Sequence, residues 1–219
     1  MKRTFLCLIT FAALLLTIPS ASALTISVYE PDNVGITGFG YGLVGNTIHI
    51  DEVWGAVGRG YLIFQGLDLG VDYTVVKHIW NNTGVDWNLF SDELLDPAGH
   101  ENDRLYDDPI EPWVPAGFSH SNNMDDLFYA YGVPRTSTAF ASLLVDEMAG
   151  RDFLEYYNGL VSGGGGYEEQ SFGLVNYELE NEPFLLAQRP NEHSVVPEPG
   201  TLMLLGSGLF SLGLFRRKK

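Results

Sequence analysis

Through the middle of the chain, apolar residues recur at every second position in short runs separated by Gly, Asn and Asp. Ile26 and Val28 alternate first, and Ile48 and Ile50 then face one way with His49 and Asp51 on the other. Tyr61 to Phe64 is a short apolar run, and residues 73–80 are rich in β-branched and aromatic side chains before Asn81-Asn82-Thr83-Gly84 turns the chain. Val85, Trp87 and Leu89 alternate next, then Leu127, Tyr129 and Tyr131, then Phe172 to Leu179 and Phe184 to Leu186. Period two is the pattern of strands with one face buried, and turn residues at this density favour many short strands. The prediction is an all-β body over residues 24–188, a β-sandwich or jelly roll. Ser137 to Tyr157 tests it, because Phe140, Leu144 and Met148 sit at helical spacing. Ala149-Gly150-Arg151-Asp152 interrupts that spacing, and alternation resumes from Asp152 to Tyr156, so two strands are predicted rather than one helix.

The two ends follow other patterns. Lys2 and Arg3 precede an apolar run from Phe5 to Ile18, and Pro19-Ser20-Ala21-Ser22-Ala23 follows. A basic start, an apolar stretch and small residues at Ala21 and Ala23 make a secretory signal peptide over 1–23, with signal peptidase cutting after Ala23. The only cysteine, Cys7, leaves with it, so the mature protein is expected to have no disulfide, thiolate nucleophile or cysteine metal site. Residues 189–196 are polar and read as a linker.

From Val196 the chain reads Val-Pro-Glu-Pro-Gly, then an apolar run from Thr201 to Phe215, then Arg216, Arg217, Lys218 and Lys219. A helix over that run is about 22 Å long, short of a hydrocarbon core of about 30 Å, a gap that flanking residues and local thinning can close. The four terminal cations are a cytoplasmic membrane stop under the positive-inside rule. Prolines on both sides of Glu198 hold an extended strip that no helix absorbs, a shape suited to a protease cleft.

Pro197-Glu198-Pro199 with Gly200, a short span and a terminal basic cluster together resemble a PEP-CTERM sorting tail, here residues 197–219. Such tails occur on exported proteins of Gram-negative bacteria that make extracellular polysaccharide. The resemblance implies transient anchoring in the inner membrane, processing by an exosortase near the motif, and delivery to the outer surface or extracellular matrix. The body is loosely similar to β-sandwich ectodomains found ahead of such tails, on Asn81–Gly84 with Trp87, Phe153-Leu154 and Phe172.

Charge narrows the partners. Of 12 basic residues six lie in the two ends, while all 28 acids fall between Glu30 and Glu198, so residues 24–200 carry a net charge of −22. Such a body is not built to hold nucleic acid, and it meets an anionic polysaccharide only through bridging divalent cations.

Motifs for chemistry are sparse. Gly40-Tyr41-Gly42-Leu43-Val44-Gly45 spells G-x-G-x-x-G, but a strand follows where nucleotide binding requires a helix. No H-E-x-x-H, P-loop or G-x-S-x-G pattern is present. Gly163 to Gly166 reads as a flexible loop. His49, Asp51 and Glu52 form an acid–base or metal group at a strand end, or are solvent-facing neighbours on an alternating strand. The stretch from Asp92 to Glu111, read as a loop, collects acids around His100, and Asp96, Glu101, Asp103, Asp107 and Asp108 are the candidate calcium ligands against a plain solvated acidic loop.

Three functions remain open. The first is an exported, non-catalytic envelope or matrix protein, needing no cofactor and associated with surface polysaccharide. The second is a carbohydrate-binding module in which Trp54, Trp80, Trp87 or Trp113 stacks on sugar rings. The third is a matrix-polymer hydrolase with paired carboxylates.

Overall fold

The computed structural model describes residues 23–98, 113–121, 127–128, 132–146, 151–177 and 182–192. Among these residues there are thirteen strands and no helix. They are β1 (Thr25–Val28), β2 (Ile36–Val44), β3 (Thr47–Trp54), β4 (Gly60–Gln65), β5 (Tyr73–Asn81), β6 (Trp87–Pro97) and β7 (Phe118–His120). Then follow β8 (Leu127–Phe128), β9 (Thr136–Ser137), β10 (Phe140–Asp146), β11 (Phe153–Val161), β12 (Gly166–Asn176) and β13 (Phe184–Pro190). The contested stretch after Ser137 is two strands, β10 and β11, paired antiparallel from Phe140 opposite Gly159 to Asp146 opposite Phe153.

The first sheet runs β1-β4-β13-β6-β11-β10, with β7 on β6, and the second runs β2-β3-β5-β12-β8, with β9 on β12. The chain alternates between them: β4 leaves the second sheet for the first and β5 returns. That detour is why β3 and β5 lie parallel while the other pairs are antiparallel. The G-x-G-x-x-G stretch is the β2–β3 hairpin, closed at Gly45-Asn46 with Val44 opposite Thr47. Gly45 has φ 59°, the glycine-first signature of a II′ hairpin turn, and no helix follows.

Inner faces of both sheets share one core. Ile48, Ile50 and Trp54 of β3, with Val75 and Ile79 of β5, meet Leu62, Phe64, Phe90, Leu94, Leu154 and Leu186 of the first sheet. Trp54 packs edge-on against Trp87 at 5.5 Å and Phe90 at 5.7 Å, joining the layers with two aromatic contacts. A Cβ at Gly60 would collide with the side chains of Ile36 and Trp54, so only glycine admits the indole there. The first sheet is covered on its back as well: Trp113 and Val114 lie over Tyr61, Leu95, Leu185 and Ala187.

Two stretches differ from their sequence reading. The acidic loop predicted from Asp92 starts later, because β6 extends to Pro97 and takes in Asp92, Glu93 and Asp96, all fully buried. Buried partners, described below, make those acids compatible with a strand. The linker predicted from Arg189 also starts later, since β13 runs to Pro190 and Arg189 is 2% exposed. Beyond it, the side-chain oxygen of Asn191 accepts from the Asn88 backbone N–H at 2.9 Å, and the Glu192 carbonyl accepts from the Ser91 hydroxyl at 3.1 Å. Polarity alone suggested a linker; hydrogen bonding places these residues in the body. Gly163 to Gly166 is likewise held rather than loose, with the Gly163 N–H on Asp86 Oδ1 at 2.9 Å.

Candidate functional site

Alternation along β3, β5 and β12 sends one set of polar side chains outward and another inward. Outward on the second sheet are His49, Asp51 and Val53 of β3, His78 and Trp80 of β5, and Tyr167 and Glu169 of β12. Register places them in rows: Gly40, Asp51, His78 and Glu169 across one, Gly38, Val53, Trp80 and Tyr167 across the next. The His49 and His78 rings stack at 6.1 Å with 5° between planes, Tyr167 lies 6.3 Å from His78, and Trp80 lies 5.4 Å from Tyr167. Tyr167 is 44% exposed. The result is a continuous row of four rings on an open sheet face.

A hydrogen-bond chain orders this row. Tyr167 Oη donates to Glu169 Oε2 at 3.2 Å, and His78 Nδ1 lies 2.8 Å from the same Oη. Because the phenol has one proton, His78 must be the donor in the second bond. Burial, then the Glu169 carboxylate, pushes the Tyr167 phenol above its usual range, which keeps it a neutral donor. Beside the rings, β2 offers bare backbone: a Cβ at Gly40 or Gly42 would meet nothing within 4 Å among the described residues. Flat aromatic surface with polar edges is suited to stacking on and hydrogen bonding to a ring-shaped, hydroxyl-rich ligand.

The inward set is charged and sealed. Lys77 Nζ donates to Asp92 Oδ1 at 2.7 Å across the two sheets, with both side chains fully buried. It also reaches Gln170 Oε1 at 3.4 Å and lies 4.7 Å over the Phe90 ring. Glu52, also fully buried, accepts from Trp54 Nε1 and from Gln188 Nε2, each at 3.0 Å. Glu168 accepts from the Ser137 hydroxyl at 2.5 Å and the Ala139 N–H at 2.7 Å. Burial pushes the carboxyls of Glu52, Asp92 and Glu168 upward against these partners.

Behind the first sheet a third group surrounds Glu93. Arg189 Nη2 donates to its Oε2 at 2.6 Å, His120 Nδ1 lies 2.8 Å from its Oε1, and Arg151 Nε lies 3.8 Å from that same oxygen. The Arg189 guanidinium stacks 3.8 Å over Trp113. A cleft of about 340 Å³ opens beside this group, between Asp32, Arg59, Tyr61, Trp113 and Glu192. Its Tyr61 phenol donates to the Trp113 carbonyl at 2.6 Å and is pushed up to about 12, mainly by burial.

Compared with known families, residues 195–219 match the PEP-CTERM protein-sorting motif. The chain carries a PEP-CTERM sorting tail. The motif implies an exported, membrane-transiting protein processed by an exosortase and sorted to the cell surface. No curated protein and no solved structure matches the chain.

The body ahead of that tail redistributes the residues expected from sequence. Within the tail, Val196, Pro197, Glu198, Pro199 and Gly200, the membrane run and Arg216, Arg217, Lys218 and Lys219 lie outside the described residues, as does Ala21. Ala23 is exposed, two positions ahead of the start of β1. Of the calcium candidates, Asp96 is buried on β6 and accepts from the Ser119 hydroxyl at 3.0 Å, and Glu101, Asp103, Asp107 and Asp108 lie outside the described residues. Among the described residues no group of three His, Cys, Asp or Glu side chains is arranged to hold a metal. His49 and Asp51 face outward while Glu52 faces the core, so the suggested trio is split by the strand's own alternation. Trp54, Trp87 and Trp113 are buried, leaving Trp80 as the partly exposed indole. Tyr167 and Glu169 were not singled out in sequence, because β12 is adjacent to β5 only through the tertiary register.

Proposed function

We propose that the exported body is a non-catalytic envelope or matrix protein held with surface polysaccharide through the outer face of its second sheet. The observation that carries this reading is the four-ring row His49, His78, Tyr167 and Trp80 on an open face beside bare glycine backbone. Sugar rings present apolar C–H faces to aromatic rings and hydroxyls to groups such as Asp51 and Glu169. The acidic body favours a neutral or amino-bearing glycan over an anionic one. A structural role is also supported by the charged clusters elsewhere: Lys77 is paired with Asp92, and Glu93 with Arg189 and His120.

The test is retention of the mature exported protein on the producing cell's extracellular polysaccharide, first with calcium and then with EDTA. Binding in both buffers, weakened roughly tenfold in Trp80→Ala, is the expected result. Binding only with calcium would move the site to the acidic segment around residues 96–108. Failure to bind in either buffer would overturn the polysaccharide reading and leave a sorted surface protein with another partner.

A further inference from the structure

We infer that Lys77 and Asp92 are joined by an intramolecular isopeptide bond, formed between Lys77 Nζ and Asp92 Cγ with the loss of one water, which ties the two sheets covalently. The reacting groups are already in place. Nζ lies 2.7 Å from Asp92 Oδ1, both side chains are fully buried, and the bond would run from β5 in the second sheet to β6 in the first. Gln170 Oε1 and the Phe90 ring hold the amine from two other sides. Asp92 Oδ2 is buried and has no hydrogen-bond partner among the described residues, so that oxygen can depart without breaking a contact with them.

Burial supplies the driving condition. Burial pushes the Asp92 carboxyl upward, and the step begins with transfer of one proton from the Lys77 ammonium to that carboxylate, which leaves an amine facing an uncharged acid. The amine lone pair then attacks Cγ, the C–N bond forms, and one Asp92 oxygen leaves as water with two protons. One proton comes from the acid and the other from the nitrogen. The amide that remains is neutral and removes the buried ion pair altogether.

Glu52 is the group placed to move those protons. It is fully buried on the same inner face, opposite Ile79 in the β3–β5 register and so diagonal to Lys77. Gln188, its hydrogen-bond donor, stands directly opposite Asp92 in the β13–β6 register. Burial keeps the Glu52 carboxyl in its protonated form to higher pH than an exposed glutamate, so it can give a proton to the leaving oxygen and take one from the nitrogen. The use for such a bond is plain: the only cysteine, Cys7, lies in the predicted signal peptide, and a staple without thiols would serve an exported domain.

Tryptic mapping of the protein isolated from producing cells decides the matter. Between Arg59 and Arg104 the sole trypsin site is Lys77. With the bond in place, Gly60 to Arg104 emerges as one peptide, uncut at Lys77, lighter by one water than its linear sequence and without backbone fragments between the two linked residues. Separate peptides ending at Lys77 and at Arg104 with full masses would overturn the inference. A lost water with Lys77 cleaved would also overturn it, since that pattern is an aspartyl succinimide. Glu52→Gln keeps acceptor and shape but has no proton to exchange; folded by circular dichroism, it is expected to yield the two linear peptides. Full cross-linking in that folded variant would overturn the role given to Glu52.

Discussion

Asp92 and Glu93 are consecutive acids on one strand, and they meet opposite fates. Asp92 points between the sheets, where Lys77 is its ion-pair partner and one carboxylate oxygen has no hydrogen bond among the described residues. Glu93 points to the back of the first sheet, where Arg189, His120 and Arg151 surround both oxygens. Removing a carboxylate from water costs several kcal/mol, and only good geometry with further hydrogen bonds offsets that. Glu93 has such an environment and is a structural anchor for Arg189 and Trp113. Asp92 does not, and its strained electrostatics are what make chemistry with Lys77 favourable. The lesson is that burial alone does not define a charged residue's role; the completeness of its shell does.

The contrast can be broken most forcefully at Arg189. Arg189→Met leaves Glu93 buried without its closest cation and is expected to cost about 3–5 kcal/mol in denaturant unfolding. A loss under 1 kcal/mol would mean that His120 and Arg151 suffice.

Replacing both partners between the sheets, Lys77→Met with Asp92→Leu, separates an ion pair from a covalent staple. An ordinary buried pair exchanged for apolar residues is neutral or stabilising. Loss of a cross-link closing a loop of about 15 residues instead costs about 3 kcal/mol by the chain-entropy estimate for disulfides, which is the expected outcome.

The inner acids also set a pH dependence. Glu52 and Glu168 have folded carboxyls raised above the ordinary 4.5, so the unfolded chain loses its protons first as pH rises. Stability from these groups is therefore complete below 4.5 and declines as pH climbs toward the folded values, by about 1.4 kcal/mol per unit of separation. Melting temperature followed against pH should fall over that window, and Glu168→Gln should flatten the curve. An unchanged slope in the variant would show that Glu168 titrates normally.

The smallest effect on stability is expected outside. Trp80→Ala should change unfolding free energy by less than about 1 kcal/mol, while polysaccharide retention drops roughly tenfold, the scale of one lost aromatic anchor. Comparable loss of both would make Trp80 a packing residue rather than a contact residue.

Much of this arrangement was legible residue by residue. Alternation located β5 and parts of β3, β6, β11, β12 and β13, but it missed β2, where glycines replace the apolar positions, and it left Glu52 grouped with its outward neighbours although Glu52 continues the buried register of Ile48 and Ile50. A charge in a buried register announces that a partner exists without naming it. The linker and acidic loop were misjudged for one reason, since polarity was read as exposure at Arg189 and Asp92, where partners more than ninety positions away or in the opposite sheet compensate the charge.

Sequence by itself determined the C-terminal sorting tail and the local pattern. The PEP-CTERM tail is read as contiguous residues, and period two follows from backbone geometry that each strand carries alone. Tertiary structure decided everything that depends on which strands are neighbours. Setting β12 beside β5 made Tyr167, His78 and Trp80 one surface, and stacking β5 on β6 brought an amine to a carboxyl. Those contacts are short-range interactions between residues distant in the chain, and register and layer packing alone bring such residues within reach.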